Sequence, residues 1–273
     1  MKRNINDFTD REKNLVIALY FQGHSLSEIS EMTQLSFYEV HFLLRKIEGS
    51  FDADQFVSSA DIPYSKVLIL ADTHLGSKYE NLSYLREAYQ YAQDHDIHAA
   101  IHAGDLIQST ISNVKAKYVD EFRQLEHVID DYPLLEGMKN YILLGNHDYN
   151  TLRKGEEYFR ILKERDDFAF LGFKRAYVTW KGQLISICHP VKKYALPISS
   201  VENFLNIKGH SHKLSYHKDK SIQVPTLSDD FLKIKNARAG FLVGTLDSKK
   251  LEIDSFYFGD SLHEEGPILV KRI

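Results

Sequence analysis

The chain of 273 residues is 43% hydrophobic and 26% charged, as expected for a globular protein with one large and one small domain. Its net charge of −4 argues against polyanion binding by the chain as a whole, and its one cysteine excludes an intrachain disulfide. The first residues contain no apolar signal-peptide core, and no apolar run approaches the roughly 20 residues of a membrane span. These features predict a cytoplasmic protein without a membrane partner.

Residues 1–48 predict a small all-α domain of three helices. The first helix has Thr9 or Asp10 as its N-cap, and a short second helix follows it. The third helix begins at Ser36, with Glu39 in the capping-box position. This arrangement resembles the helix-turn-helix of resolvases and sigma factors.

The resemblance leaves two functions open for residues 1–48. DNA binding would place the helix at residues 37–46 in a major groove. However, the segment has six basic and seven acidic residues, and a net charge of −1 is a poor match for DNA phosphates. The alternative is a module for protein docking or dimerisation. Formation of a homodimer therefore stays open as well.

Residues 49–65 lack strong periodicity and predict a linker, part of which could be ordered against the second domain. From residue 66 onward, buried strands alternate with amphipathic helices, which predicts parallel strands with helical crossovers. The strands in "KVLILADTH", "AIHAGDLIQ" and "YILLGNHDYN" each deliver polar residues at their carboxyl ends. Functional sites in such sheets lie beyond those ends.

The second half of the chain supplies histidines in the same way. The strand in "QLISICHP" ends at His189, and the strand in "FLNIKGHSHK" ends at His210 and His212. Gly209 permits a turn that would let both of the last histidines face one centre. The collected candidate residues are Asp72, His74, Asp105, Asn146, His147, His189, His210 and His212.

These candidate residues offer oxygen and nitrogen ligands and no thiolate. That composition suits Mn²⁺, Fe or Zn²⁺ and does not suit a soft metal. The set is larger than one tetrahedral zinc requires, and it suffices for two metal ions that share a bridging carboxylate. Two-metal sites, with the ions roughly 3.5–4 Å apart, are commonly used to attack phosphoesters in line.

Five ordered motifs carry a resemblance to a known family. "ADTHLG", "AGDLI", "LGNHDY", "CHP" and "KGHSH" resemble the D-x-H, G-D, G-N-H-D/E, H and G-H-x-H motifs of the calcineurin-like metallophosphoesterase superfamily. The resemblance extends from residue 66 to His212, followed by a strand-rich tail like that of the family. One departure is Pro190, which stands where the family often has a glycine, but a histidine ligand does not depend on the next residue.

The resemblance implies that seven residues bind two divalent metal ions, with Mn²⁺ preferred and Fe, Zn²⁺ or a mixed pair as alternatives. One ion would be held by Asp72, His74 and His212, the other by Asn146, His189 and His210, with Asp105 bridging both.

The resemblance also implies two catalytic residues and a nucleophile. A metal-bridging hydroxide would attack the phosphorus atom. His147 would contact a phosphate oxygen or protonate the leaving group, and Asp148 would orient His147 from behind.

The fold implied for residues 66–273 is a four-layer α/β/β/α sandwich of two mixed sheets, preceded by the small helical domain. The tail "GFLVGTLDSKKLEIDSFYFGD" predicts a hairpin of two alternating strands around the "DSKK" turn. We expect this hairpin to extend the second sheet.

The substrate class depends on a narrower likeness. The superfamily includes protein phosphatases, nucleotide phosphodiesterases, DNA nucleases and pyrophosphohydrolases. The segment "VPTLSDD" and the tail look similar to DNA repair exonucleases of the SbcD type, which favours a phosphodiesterase or nuclease acting on DNA. One alternative is a phosphodiesterase or phosphatase of a small nucleotide, with the helical domain used for protein docking. The other is a DNA-binding regulator with a metal-bound sensor domain, although a sensor has no need of the leaving-group acid.

Overall fold

The computed structural model describes residues 4–21, 26–36, 39–40, 42–44, 57–110, 115–152, 164–173, 175–190, 204–217, 221–229, 237–259 and 261–272. Helices in these residues cover Asp10–Phe21, Leu26–Thr33, Leu82–Asp94, Glu121–Asp131 and Asn146–Leu152, and a 3-10 turn covers Ile5–Asp7. The strands, labelled in chain order, are β1 (Val57–Ile62), β2 (Lys66–Leu70), β3 (Ala99–Ala103), β4 (Lys139–Leu144), β5 (Phe168–Phe173), β6 (Arg175–Trp180), β7 (Gln183–Cys188), β8 (Leu205–Lys208), β9 (Ser215–His217), β10 (Ser221–Gln223), β11 (Gly240–Leu246), β12 (Lys250–Tyr257) and β13 (His263–Arg272).

The strands form two mixed sheets. The larger sheet has the order β13-β12-β11-β2-β3-β4-β5, in which β2 to β5 are parallel and β11 to β13 are antiparallel. The smaller sheet has the order β1-β6-β7-β8-β10-β9. The predicted α/β sandwich of two mixed sheets is therefore confirmed.

Two apolar cores hold these layers together. One core packs the helices Leu82–Asp94 and Glu121–Asp131 against the outer face of the larger sheet. The other core lies between the two sheets and includes the fully buried Trp180. The helix caps follow from the sequence, because Asn81 accepts the amide hydrogen of Tyr84 at 3.3 Å and Asp120 accepts that of Phe122 at 3.0 Å.

The predicted hairpin is present, but its predicted position is wrong. β11 and β12 pair around the turn, where Asp247 Oδ1 accepts the amide hydrogens of Lys249 and Lys250 at 2.7 and 2.9 Å. However, β11 pairs with β2 and so extends the larger sheet. The reason is that β11 is apolar on both faces. Phe241 packs in the core under the helices, and Leu242 packs between the sheets.

The predicted linker is ordered against the second domain over residues 57–62, a possibility that the sequence left open. These residues form β1, which pairs in parallel with β6 at the edge of the smaller sheet. Ile62 is fully buried between the sheets, and the Thr179 hydroxyl donates to Asp61 at 2.6 Å. The pairing partner lies more than a hundred residues further along the chain, so local periodicity does not reveal it.

The N-terminal helices have an apolar core of their own. The first helix is capped by Thr9, whose hydroxyl accepts the Glu12 amide hydrogen at 3.2 Å. The expected capping box at Ser36 and Glu39 is also present, with hydrogen bonds of 2.9 and 3.3 Å. Only residues 39–40 and 42–44 of the proposed recognition helix are described, so the helix-turn-helix stays a prediction. The core comprises Phe8, Val16, Leu19, Ile29, Leu35, Val40, Leu43 and Leu44.

No helix in the described part of the chain is both long enough and apolar enough to cross a membrane.

Candidate metal centre

The carboxyl ends of five strands meet at one edge of the sandwich. The loops are tied together across the two sheets, since His189 Nδ1 bonds the Ala103 carbonyl at 2.7 Å. The amide of His210 likewise donates to Asp72 Oδ2 at 2.9 Å. The predicted site residues follow the strands in order: Asp72 and His74 after β2, Asp105 after β3, Asn146 after β4, His189 after β7, and His210 and His212 after β8.

The first group of side chains consists of Asp72, His74 and His212. Their potential ligand atoms lie within 4.8 Å of one another. Nε2 of His212 is 3.3 Å from Nε2 of His74 and 3.4 Å from Oδ1 of Asp72, and the Asp72–His74 distance is 3.9 Å. All three residues are buried. Buried charged groups need a partner, and a metal ion is one that a carboxylate and two imidazoles share well.

The second group consists of Asp105, His189 and His210, again within 4.8 Å. Oδ2 of Asp105 lies 3.1 Å from Nε2 of His189. The same oxygen lies 3.9 Å from Nε2 of His74, in the first group. Asp105 therefore stands between the two groups, where a bridging ligand would be required.

Buried atoms of two of the candidate ligands have the position and chemistry of metal ligands. Oδ1 of Asn146 accepts no hydrogen bond, and Nε2 of His189 has no partner of hydrogen-bond geometry. Leaving a buried polar atom unsatisfied costs about 1–3 kcal/mol. An oxygen and an imidazole nitrogen are both ligands for divalent metal ions, so the residues present fit such ions.

The electrostatics of the cluster agree with this chemistry. Burial lowers the pKa of His74 to about 3, so its imidazole is neutral, which is the form that binds metal. Burial alone would lower the pKa of His189 too, but the neighbouring Asp105 carboxylate outweighs it and raises that pKa to about 9. Burial would raise the pKa of Asp105, yet His189 holds it well below its usual range. The cluster thus favours a positive charge beside Asp105.

The backbone of the candidate site is strained. Left-handed φ values are rare for residues other than glycine and cost of order 1–3 kcal/mol each. Such strain is typical of functional sites, where the surrounding structure holds it. Five of the seven candidate ligands have it: Asp72 (55°), His74 (45°), Asp105 (57°), His210 (77°) and His212 (58°).

Glycines in the motifs make room for the ligands. Gly104 has a φ of +101°, and a Cβ built there would collide with the His189 ring. A Cβ at Gly145 would collide with Asp105. The glycines before Asp105 and Asn146 are therefore required by close packing within the cluster, and Gly104 is required by its left-handed backbone as well.

His147 lies beside both groups, as the resemblance implies. It shares a group of ligand atoms within 4.8 Å with His74 and Asp105. Its Nδ1 bonds the carbonyl oxygen of Gln108 at 2.6 Å, and because a carbonyl only accepts, Nδ1 carries the hydrogen.

The expectation that Asp148 orients His147 is wrong. Both oxygens of Asp148 accept backbone amide hydrogens instead, from Ile107 at 2.9 Å, Leu106 at 3.1 Å and Gly145 at 2.8 Å. The reason is local, since Asp148 is the third residue of its helix and folds back on the residue that caps it. Asp148 therefore joins the loops after β3 and β4, while Gln108 orients His147.

Other residues that support the site were missed in the sequence. The Thr226 hydroxyl donates to the Asp72 carbonyl at 2.8 Å, and Thr226 lies in the "VPTLSDD" segment. The Thr73 hydroxyl bonds the buried His102 at 3.0 Å and the Leu106 carbonyl at 2.9 Å. Thr73 stands between two candidate ligands in the first motif. That position is the sequence feature that could have identified it as a supporting residue.

The two-sheet sandwich with Asp and His clusters at its strand ends is the arrangement of a metal-dependent phosphoesterase. The sequence profile of the calcineurin-like phosphoesterase family matches residues 65–264, so the chain belongs to that family. No curated protein sequence matches the chain.

Several solved structures have a similar fold at low sequence identity. Vps29 from Chaetomium thermophilum is 9% identical, with 76% of this chain and 97% of that chain covered and a TM-score of 0.49. YfcE, a phosphoesterase from E. coli, is 14% identical, with 76% and 100% covered and a TM-score of 0.48. A single mutant of Vps29 from Entamoeba histolytica is 13% identical, with 75% and 98% covered and a TM-score of 0.48.

Proposed function

We propose that this chain is a metal-dependent phosphodiesterase or nuclease that acts on DNA. The observation that carries the proposal is the pair of Asp–His groups, with Asp105 standing between them and His147 beside both. A leaving-group acid next to a pair of metal sites is what hydrolysis of a phosphoester requires. The membership of the phosphoesterase family supports the same reaction class.

The distances between the ligand atoms support a division of the proposed ligands between two metal ions. When bound, two divalent ions, Mn²⁺ in the first place and Fe or Zn²⁺ otherwise, would polarise the phosphoester and neutralise its charge. Asp105 would contact both ions through a carboxylate whose pKa is already depressed. The first ion would be held by Asp72, His74 and His212, and the second by Asn146, His189 and His210.

His147 is proposed to protonate the leaving oxygen from Nε2, which requires the ring to be an imidazolium with a second hydrogen kept on Nδ1. The Gln108 carbonyl fixes the ring by accepting from Nδ1, and the His147 amide donates to Asp105 Oδ1 at 2.9 Å. The side chain and the backbone of His147 are therefore both fixed by hydrogen bonds, and Nε2 is the atom proposed to face the substrate. Asp148 is proposed to act indirectly, because its carboxylate joins the two loops that carry Asp105 and His147.

DNA is the preferred substrate class. The segment that resembles SbcD-type exonucleases is part of the site, because Thr226 holds the Asp72 carbonyl and Leu227 donates to the Ala71 carbonyl at 3.2 Å. Residues 1–48 would serve as a second contact, to DNA or to a protein.

The test is metal-dependent hydrolysis of bis-p-nitrophenyl phosphate and p-nitrophenyl phosphate, followed by single- and double-stranded DNA. We expect diester and DNA cleavage with Mn²⁺, both abolished by chelator and by Asp105→Ala. Cleavage of the diester but not of DNA would replace DNA with a small nucleotide. No turnover with any metal would refute the enzyme and favour the sensor.

A further inference from the structure

We propose that Gln124 is a positioning residue for His147, the proposed leaving-group acid, and that it acts through the peptide group between Gln108 and Ser109. The carbonyl oxygen of that peptide accepts from His147 Nδ1 at 2.6 Å. The amide hydrogen of the same peptide is donated to Gln124 Oε1 at 2.7 Å. The inference rests on the proposed function, because it assigns a residue that orients the proposed acid.

The two hydrogen bonds lie on opposite sides of one planar group. In a trans peptide the carbonyl oxygen and the amide hydrogen point in opposite directions, so Gln124, the peptide and His147 form a chain of three groups. Each hydrogen bond in such a chain polarises the next, and the bond to Gln124 makes the Gln108 carbonyl a stronger acceptor. Loss of the Gln124 oxygen would therefore loosen the His147 ring without changing the ring itself.

The same peptide is held in a conformation that would otherwise relax. Ser109 has a φ of 55°, in the left-handed region that serine rarely adopts. Rotation of the 108–109 peptide would let Ser109 leave this region, and it would also turn the Gln108 carbonyl away from His147. The bond to Gln124 opposes that rotation, because Ser109 is fully buried and its amide would lose its acceptor.

The side-chain amide of Gln124 has a defined orientation. Its Nε2 donates to the Tyr118 carbonyl at 2.6 Å, which leaves Oε1 as the acceptor for the Ser109 amide. Gln124 is fully buried and belongs to the helix Glu121–Asp131, whose Leu125 packs in the core against the larger sheet. The acceptor for the 108–109 peptide is therefore carried by a packed helix and not by another loop.

Glu121 supports the neighbouring residues in a different way. Its Oε1 accepts from the Ser109 hydroxyl at 2.9 Å and from the Thr110 amide and hydroxyl at 3.0 and 2.6 Å. These three donors lie outside the 108–109 peptide. Glu121 therefore anchors the loop after β3, whereas Gln124 sets the plane of the peptide that His147 contacts.

The first experiment compares two diesters that differ in their need for an acid, with full-length protein and Mn²⁺. Bis-p-nitrophenyl phosphate releases a nitrophenolate that needs no proton, whereas a thymidine dinucleotide releases an alkoxide that does. For Gln124→Met, which is of similar size but has no oxygen, we expect kcat on the dinucleotide to fall about tenfold to hundredfold. We expect kcat on the nitrophenyl diester, and KM for both substrates, to stay within about twofold of wild type. Gln124→Asn, whose amide is one methylene shorter, gives the same test if Gln124→Met does not fold.

Two further variants separate positioning from stability. Val128→Ala, one turn further along the same helix, removes packing from the apolar core and removes no hydrogen bond. It should lower the melting temperature and leave the ratio of the two kcat values unchanged. Gln124→Glu keeps an oxygen for the Ser109 amide. Its carboxyl group lies near Glu121 and faces the Tyr118 carbonyl, which favours the protonated form, so it can also donate. It should restore most of the loss on the dinucleotide.

The effect of Gln124 should disappear where His147 is already absent. In the His147→Ala background we expect Gln124→Met to change kcat on the dinucleotide by less than about twofold. Four results would each overturn the inference. They are equal losses on both diesters in Gln124→Met, a selective loss in Val128→Ala, no restoration in Gln124→Glu, and additive losses in the double variant.

The second experiment needs no turnover and so separates this inference from the proposed function. Imidazole ¹H–¹⁵N correlation spectra of the full-length protein with Zn²⁺, a diamagnetic ion, should show the hydrogen on His147 Nδ1 as a cross-peak that is absent from His147→Ala. We expect the cross-peak to weaken or vanish in Gln124→Met and to persist in Val128→Ala, because the hydrogen exchanges with water once the carbonyl turns away. A cross-peak that is missing from wild type, or unchanged in Gln124→Met, would overturn the inference. Wild-type protein inactive on every ester would refute the proposed function, whereas the spectra would still decide the role of Gln124.

Discussion

The backbone amide of His147 donates a hydrogen bond of 2.9 Å to Oδ1 of Asp105. The other carboxylate oxygen, Oδ2, faces His189 at 3.1 Å and His74 at 3.9 Å. One side chain therefore holds the loop of the proposed acid with one oxygen and presents the other to the proposed metal sites. A shift of Asp105 would move both parts of the site together.

Asp105→Asn should abolish activity, because the amide has the same shape but lacks the charge. We expect a loss of about 10³-fold or more in kcat/KM and a reduced content of bound metal, measured by titration calorimetry with Mn²⁺. Asp247→Asn, at an exposed turn on the opposite edge, is the control. Wild-type metal content in Asp105→Asn would contradict the bridging role.

His147→Ala should lose turnover and keep its metal. We expect a loss of about 10²–10⁴-fold on DNA, the usual range for removing a positioned acid. The loss should be much smaller on bis-p-nitrophenyl phosphate, because nitrophenolate leaves without protonation. The measurement compares kcat for the two substrates. Equal losses on both would argue that His147 does not protonate the leaving group.

Gly104→Ala should destabilise the protein more than Gly182→Ala. Both glycines have left-handed backbone, which costs alanine about 1–2 kcal/mol, but only a Cβ at Gly104 meets the His189 ring. The clash should add about 1–3 kcal/mol. Urea unfolding of the two variants measures the difference. Equal free energies of unfolding would show that the ring moves aside at no cost.

His127 should stabilise the fold most at low pH. Its ring nitrogens lie 2.8 Å from Glu80 and from Asp131, and the hydrogen bond to Glu80 raises its pKa above the usual value. Its contribution should be full below about pH 6.5 and be lost as pH rises through the native pKa. The free energy of unfolding of wild type minus His127→Gln, measured from pH 5.5 to 9, should fall. A difference that is constant or grows would refute the charged pair.

Removing residues 1–48 should leave hydrolysis of a small diester intact. The core of the N-terminal helices shares no residue with the two cores of the sandwich, so the catalytic part keeps its packing. We expect kcat/KM on bis-p-nitrophenyl phosphate within about twofold of wild type. Circular dichroism should still show a cooperative thermal transition. A truncated protein that fails to melt cooperatively would mean that the helices support the sandwich.

The convergence of the candidate ligands was predictable because each follows a buried strand in a recognisable motif. Five strand ends were visible in the sequence as apolar runs that stop at Asp, Asn or His. The position of the β11–β12 hairpin was not, because strands that are apolar on both faces fit either sheet. The hydrogen-bond partners of Asp148 were not predictable either. They are backbone amides, and a sequence does not show which amides will donate to a given carboxylate.

The left-handed backbone at five candidate ligands also limits how the site can change. Aspartate, asparagine and histidine are the side-chain-bearing residues that tolerate this conformation best, and they are also oxygen and nitrogen ligands. A cysteine or glutamate at Asp72 or His210 would have to accept the same torsion without that tolerance. Single substitutions therefore give no easy route from this hard-metal set to a thiolate set. The left-handed backbone therefore restricts which residue types can stand at these positions, and the residue types in turn restrict which metal ions can bind.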